Sequence, residues 1–298
     1  MATDTGIAVE LDHLIGLRWR PPASSRAAPG GVARPGPAPS RRIGRGLDQE
    51  DVRPYEAGDD ARRIDWRATA RLGRVQVKLF REDREGLRLL VVDLRPGMTF
   101  GTRRALRSYA AAELAALCAW DAVEHEARLA GVLVTGAGVE RVRPGRGAPA
   151  ALGFLGALAR VQRAALATMR QPPGPALDVV LAEAPRLARQ GTEVVVISAF
   201  EDLGDRFAAA WATLAAGARL TAVRVEDPAE RALPPGRYGV RHGDRAALVQ
   251  VAASLPAERD LDDLDRRLRD AGASVAVVGT PEAPSAAMAR IARLLHGG

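Results

Sequence analysis

Two stretches decide the fold: LRLLVVDL at residues 87–94 and TEVVVISAF at residues 192–200. Both are runs of Leu, Val and Ile without a polar residue in every second place, the pattern of a strand covered on both faces rather than one with a wet side. Working outward, a helical stretch from about Arg103 to His125 repeats Leu106, Ala110, Leu114 and Cys118 at helical spacing, and RLAGVLVT (128–135) is a further buried strand. VERVR (139–143) pairs with it through the turn Gly136–Gly138. Helical segments at 149–169 and 176–189 lead to the second decisive strand. A helix at 205–215, the strand ARLTAVRVED (218–227), the strand SVAVVGT (274–280) and a helix at 283–295 follow it. Buried strands alternating with helices predict an α/β domain with a doubly wound, mostly parallel sheet. A Pro/Gly-rich excursion at 228–255 predicts a short hairpin inserted before the last unit.

Upstream the texture changes. A short helix through Leu11, Leu14, Ile15 and Leu17 precedes a Pro-, Gly-, Ala- and Ser-rich linker at 21–42. Residues 43–86 form a dense charged block. It ends in GRVQVKLFRED, where Val75, Val77 and Leu79 alternate with Gln76 and Lys78 as in a strand with one wet face. The predicted organisation is therefore 1–42, N-terminal helix and basic linker; 43–86, a small β-rich charged module; and 87–298, the sheet domain.

The net charge of +7 is local and almost wholly arginine, since Lys78 is the only lysine. Seven arginines (18, 20, 26, 34, 41, 42 and 45) and no acid lie between His13 and Leu47. Such an arm suits nucleic acid or another anionic partner, but its Pro/Gly composition favours a solvated linker. Cys118 lies in an apolar helical run with no basic flank, so it predicts a buried structural thiol. The four histidines, at 13, 125, 242 and 296, show no metal-ligand spacing, and no zinc site is expected. No apolar stretch approaches the length of a membrane span, and MATDTGIAVELDHLIGLRW lacks a basic n-region, so a cytoplasmic protein is the expectation.

Catalytic motifs fail where they would have to sit. The loop DLRPGMTFG after the first strand has no Gly-x-Gly-x-x-Gly, Gly-Lys-Ser/Thr is absent, and no Gly-x-Ser-x-Gly elbow occurs. No catalytic residues, no cofactor and no enzymatic activity are expected.

What remains at the strand ends is Asp93, with Ser198, Glu201 and Asp202 after the later strand. The order of elements and Asp93 resemble the von Willebrand factor A-like fold, whose first loop reads Asp-x-Ser-x-Ser and holds a divalent cation with hard oxygen ligands. Here Arg95 and Gly97 stand where the serines belong, Pro175 stands near the position of a threonine, and Ala199 near that of an aspartate. The resemblance therefore implies a degenerate adhesion site (Asp93, Arg95, Gly97, Ser198, Asp202) with no metal. Asp93 is expected to act as a capping or salt-bridging carboxylate.

Residues 44–82 carry a longer signature. Asp51, Val52, Arg53 and Tyr55 are followed by Gly58, Asp59 and Asp60, then Arg63, Ile64, Asp65 and Trp66, then Ala70 and Arg71. With Asp227-Pro228, Glu230, Leu233-Pro234 and Gly236, this resembles the domain-of-unknown-function family fifty-eight. That resemblance implies an accessory role beside MoxR-type AAA+ ATPases, in protein remodelling or maturation. Between 51 and 84, seven acids interleave with eight arginines and Lys78 around Tyr55, Trp66 and Phe80. The block either locks the module together or presents a docking face through Arg53, Tyr55, Gly58, Asp59, Asp60, Arg63, Asp65, Trp66, Arg67 and Arg71. Trp66 is expected to be a buried anchor. The functional expectation is a non-catalytic adaptor that docks onto protein partners. The alternatives are a nucleic-acid-binding protein using the arginine-rich arm, or a metal-dependent adhesion module, which the missing ligands disfavour.

Overall fold

The computed structural model describes residues 6–18, 52–56, 64–78, 86–167, 173–184, 191–242, 245–252, 255–256 and 260–297. In chain order its helices and strands are α1 (Leu11–Gly16), β1 (Val52–Pro54), α2 (Trp66–Leu72), β2 (Gln76–Lys78), β3 (Leu87–Asp93), α3 (Arg107–Glu124), β4 (Arg128–Thr135), β5 (Gly138–Gly145), α4 (Gly147–Ala167), α5 (Leu177–Glu183), β6 (Thr192–Ser198), α6 (Phe207–Ala215), β7 (Ala218–Glu226), β8 (Ala232–Leu233), β9 (Gly236–His242), β10 (Arg245–Val251), β11 (Leu255–Pro256), α7 (Leu261–Asp270), β12 (Ala273–Gly279) and α8 (Pro284–His296). They divide into two compact units, residues 22–85 and the rest.

In the larger unit the two decisive runs are neighbouring parallel strands at the centre of a six-stranded sheet ordered β12-β7-β6-β3-β4-β5. Only β5 is antiparallel, paired with β4 through the predicted Gly136–Gly138 turn. Alternate residues of each central strand enter opposite cores. Leu90, Val92, Val195 and Ile197 pack under α1, α3, α4 and α8, whereas Leu89, Val91, Val194 and Val196 pack under α5, α6 and α7. That two-sided burial is why these strands read as continuous apolar runs. The arrangement is the doubly wound, mostly parallel sheet expected from the sequence.

Three corrections concern this unit. The helix α1, assigned from the sequence to a separate segment 1–42, belongs to the sheet domain. Val9 and Leu14 are buried, Trp120 donates its indole N–H to Leu14 O at 3.2 Å, and Gln162 brackets the chain from Val9 N to Ile7 O. Arg18, counted in the basic arm, instead pairs with Glu124 at 2.7 Å and lies over the Trp120 ring. The other six arm arginines lie outside the described residues. Finally, α7 was not anticipated. Its Leu264 and Leu268 pack under the sheet, Leu261 is buried, and Asp265 takes a bidentate pair from the buried Arg224. The excursion after β7 does form a hairpin, β9 with β10.

In the smaller unit β1 pairs antiparallel with β2, with an added bridge from Ile64 to Val77. A helix, α2, sits between them. Asp65 caps it by accepting from Ala68 N at 2.9 Å, and Gly73 ends it in the left-handed conformation at φ 69°. The expected wet face of the strand fails at Gln76, which is buried beside Val77, its backbone N–H bonded to Thr69 Oγ1. Trp66 is not a buried anchor. It occupies the first helical position, 69% exposed, and the residue that α2 buries is Ala68.

Candidate functional site

The carboxyl ends of β3 and β6 place Asp93 and Ser198 side by side, because the strands pair in register one residue before (Val92 with Ile197). Asp93 is buried and accepts four hydrogen bonds: from the backbone N–H of Arg95 at 3.0 Å, Arg95 Nε at 3.0 Å, Arg95 Nη2 at 2.8 Å and Ser198 Oγ at 2.6 Å. Arg95 is itself buried and reaches further. Its Nη1 donates to Pro175 O at 3.2 Å and Asp202 O at 3.0 Å. One guanidinium thus ties together the loops after β3, before α5 and after β6. Burial works against its charge, but the hydrogen bond and charge of Asp93, helped by Asp202 and Glu201, outweigh it and raise its pKa above the ordinary value.

This answers whether a divalent cation suits the strand ends. Both Asp93 oxygens are taken, no hydroxyl stands at 95 or 97, and Pro175 offers only its carbonyl, which Arg95 already uses. The donor set does not fit a hard cation. Asp93 instead forms a buried ion pair with Arg95 at 2.8 Å.

Ser198 also accepts from Phe200 N at 2.9 Å. Phe200 is held at φ 52°, a left-handed conformation that non-glycine residues avoid. Its ring is locked edge-on against Trp211, with centroids 6.1 Å apart. The bend directs the chain into Glu201 and Asp202, whose side chains are 39% and 55% exposed. Leu177 N donates to Asp202 O at 3.1 Å and Arg206 N to Asp178 Oδ2 at 2.9 Å, so this loop is stitched to the start of α5.

A second arginine, absent from the sequence-level reading, extends the network. Arg107, at the start of α3, is buried and donates to Gly97 O at 3.0 Å, to Glu201 at 2.6 Å and to Glu230 at 2.7 Å. Glu230 belongs to a capping box with Asp227. Burial pushes the Glu230 carboxyl up despite Arg107. Asp227 accepts from Thr102 N at 2.9 Å, Thr280 Oγ1 at 2.7 Å and Ala229 N at 3.0 Å. The Asp227-Pro228-x-Glu230 stretch is therefore a brace for the strand ends. Next to Arg95 a crevice of about 140 Å³ opens, lined by Pro96, Met98, Pro173, Ala199, Glu201 and Asp202 among others.

Of the smaller unit's predicted docking residues, Tyr55, Trp66, Arg67 and Arg71 are exposed, and Asp65 is the helix cap. Gly58, Asp59, Asp60, Arg63 and the Arg53 side chain lie outside the described residues. Cys118 is buried, its thiol pushed up to about 12 by burial. Among the described residues no helix is long and apolar enough to cross a membrane.

A family model described as "Protein of unknown function DUF58" matches residues 51–271. Uncharacterised proteins of Mycobacterium tuberculosis and Mycobacterium bovis are each 30% identical over 221 residues, covering 73% of this chain and 67% of theirs. Among solved structures, the conserved hypothetical protein BatB from Bacteroides thetaiotaomicron matches with TM-score 0.46 at 13% identity, covering 70% of this chain and 98% of that one. A von Willebrand factor type A protein from Catenulispora acidiphila matches with TM-score 0.41 at 16% identity, covering 69% and 41%.

Proposed function

The chain belongs to the family of proteins of unknown function DUF58, and from that premise we propose that it is a non-catalytic docking protein whose strand-end face receives a partner protein. The observation that carries this reading is Arg95. A guanidinium bonded to Asp93 and to two loop carbonyls makes the three loops a single preset surface. An always-charged arginine with its donors so engaged supplies neither acid nor base nor an exchangeable ligand position. The adjoining crevice, about 140 Å³, is smaller than the roughly 300–1,000 Å³ typical of small-molecule sites, and it suits one inserted side chain. With Glu201 and Asp202 lining it, that side chain is a lysine or arginine.

The partner we propose is a MoxR-type AAA+ ATPase, which the family resemblance supports. The chain lacks a Gly-Lys-Ser/Thr phosphate loop, so the energy for remodelling a client would come from that partner. The test is affinity capture from native lysate with mass spectrometry, using the unaltered chain and a Glu201→Lys, Asp202→Lys variant. Recovery of an AAA+ ATPase by the first and its loss with the second, while the second still unfolds in one cooperative transition, supports the reading. Capture that survives both charge reversals removes the strand-end face from the proposal.

A further inference from the structure

The fold brings together two histidines that the sequence keeps far apart. His125 caps the C-terminal end of α3, and His296 is the last residue of α8. Their rings stack at 3.9 Å beside the fully buried carboxylate of Asp121, one helical turn before His125 and 175 residues from His296. His296 Nε2 lies 3.1 and 2.9 Å from the two Asp121 oxygens, and His125 Nδ1 lies 3.5 Å from Oδ1. One nitrogen of each ring and one carboxylate oxygen fall within 4.8 Å of one another.

We propose that Asp121, His125 and His296 form a binding site for a first-row transition metal of the zinc class, clipping the end of α8 to the end of α3. Two imidazoles and a carboxylate form a donor set that suits zinc and its neighbours rather than magnesium or calcium. Zinc bonds of about 2.0–2.1 Å in tetrahedral geometry set adjacent ligand atoms about 3.3 Å apart, close to the separations just given. The carboxylate is already oriented from behind. Arg88 Nη1 holds Asp121 Oδ2 at 2.5 Å, and Arg88 is braced in turn by Glu193 at 2.6 Å, the kind of outer support that metal-binding carboxylates use. Both histidines stand at helix C-termini, where the backbone dipole favours a cation. In the metal-free arrangement the rings are stacked, so capture turns one of them about its side-chain bonds. Both rings are part-exposed, which leaves a coordination position for water, and turning His125 gives up its Nδ1 contact with Asp121 O at 2.9 Å. The site is separate from Asp93 and Arg95 and stands whether or not the docking reading does.

The experiment titrates the metal-stripped, tag-free full chain with Zn²⁺, and with Co²⁺ to follow its visible absorption bands. The expected result is one site per chain at micromolar affinity, weakened about tenfold or more by His125→Ala and by His296→Gln, and unchanged by His13→Ala. Melting temperature should rise with Zn²⁺ and not with Mg²⁺. Absence of binding tighter than millimolar, or binding that survives replacement of both His125 and His296, overturns the proposal.

Discussion

Replacing Arg95 by alanine tests the idea that a side chain has taken the place of a metal. The substitution removes four hydrogen bonds, two to Asp93 and one each to Pro175 O and Asp202 O. Counted singly at about 1.5–3 kcal/mol for charged bonds, they would sum to about 6–12 kcal/mol, as much as a whole domain's stability. That sum is not the expectation, because removing the guanidinium also removes its own dehydration cost. The lasting damage is at Asp93, left buried with its Ser198 hydroxyl at 2.6 Å and one backbone N–H at 3.0 Å. Breaking a buried pair costs about 3–5 kcal/mol, and the surviving donors put this case at the lower end, about 3 kcal/mol.

For a domain of this size that is a fall of about 6–12 °C in melting temperature, measurable by calorimetry alongside urea unfolding. Arg95→Met combined with Asp93→Asn removes both charges and should recover much of the loss. An Arg95→Ala variant that loses less than about 1 kcal/mol refutes the reasoning, since a guanidinium that knits three loops cannot be that dispensable.

Other outcomes follow from the same geometry. Calorimetric titration with Mg²⁺ should show no site tighter than about millimolar in the unaltered chain. In Arg95→Ser, Gly97→Ser the two restored hydroxyls should bring Mg²⁺-dependent stabilisation, the Glu201 carboxylate swinging away from the new side chain at 97. Trp66→Ala should change unfolding free energy by no more than about 0.5 kcal/mol, whereas Asp65→Ala, which loses the helix cap, should cost about 1 kcal/mol. Burial alone would raise the Asp227 carboxyl, but the hydroxyls of Thr102 and Thr280 and two backbone N–H groups hold it below its ordinary value of 3.8. Its stabilising share is therefore present above that value and lost as pH falls through the lower folded one. The deficit of Asp227→Asn in pH-dependent melting should be full at neutral pH and shrink on acidification below 3.8.

The sheet was legible because two-sided burial leaves a mark on every residue of a strand, as in Leu89–Val92 and Val194–Ile197. The reading failed where the apolar signal was short or overlaid by charge. Helix α7 has leucines at 261, 264 and 268, but LDDLDRRLRD looks like a solvated loop until Arg224 is known to bury against Asp265. Trp66 looked like an anchor by residue type alone, which carries no information on which way a first-turn side chain points. At the site, the loss of the two serines was plain in the sequence, but not that Arg95 would reach across to Pro175 and Asp202. Nor could the sequence pair His125 with His296, since contacts across so many residues leave no local periodicity.

Arg95 also changes what the strand ends can recognise. A metal ion held by three loops keeps open positions and presents positive charge to whatever approaches. Arg95 gives both its Nη1 directions and its Nε direction to the fold, and Asp93 neutralises it at close range. Arg107 is engaged likewise by Glu201, Glu230 and Gly97 O. Both cations are buried, whereas the Glu201 and Asp202 carboxylates beside the crevice reach solvent. On the proposed docking reading, the crevice beside Glu201 and Asp202 favours a basic side chain over an acidic one. Because the cation is covalently tethered, that preference does not depend on the supply of any ion.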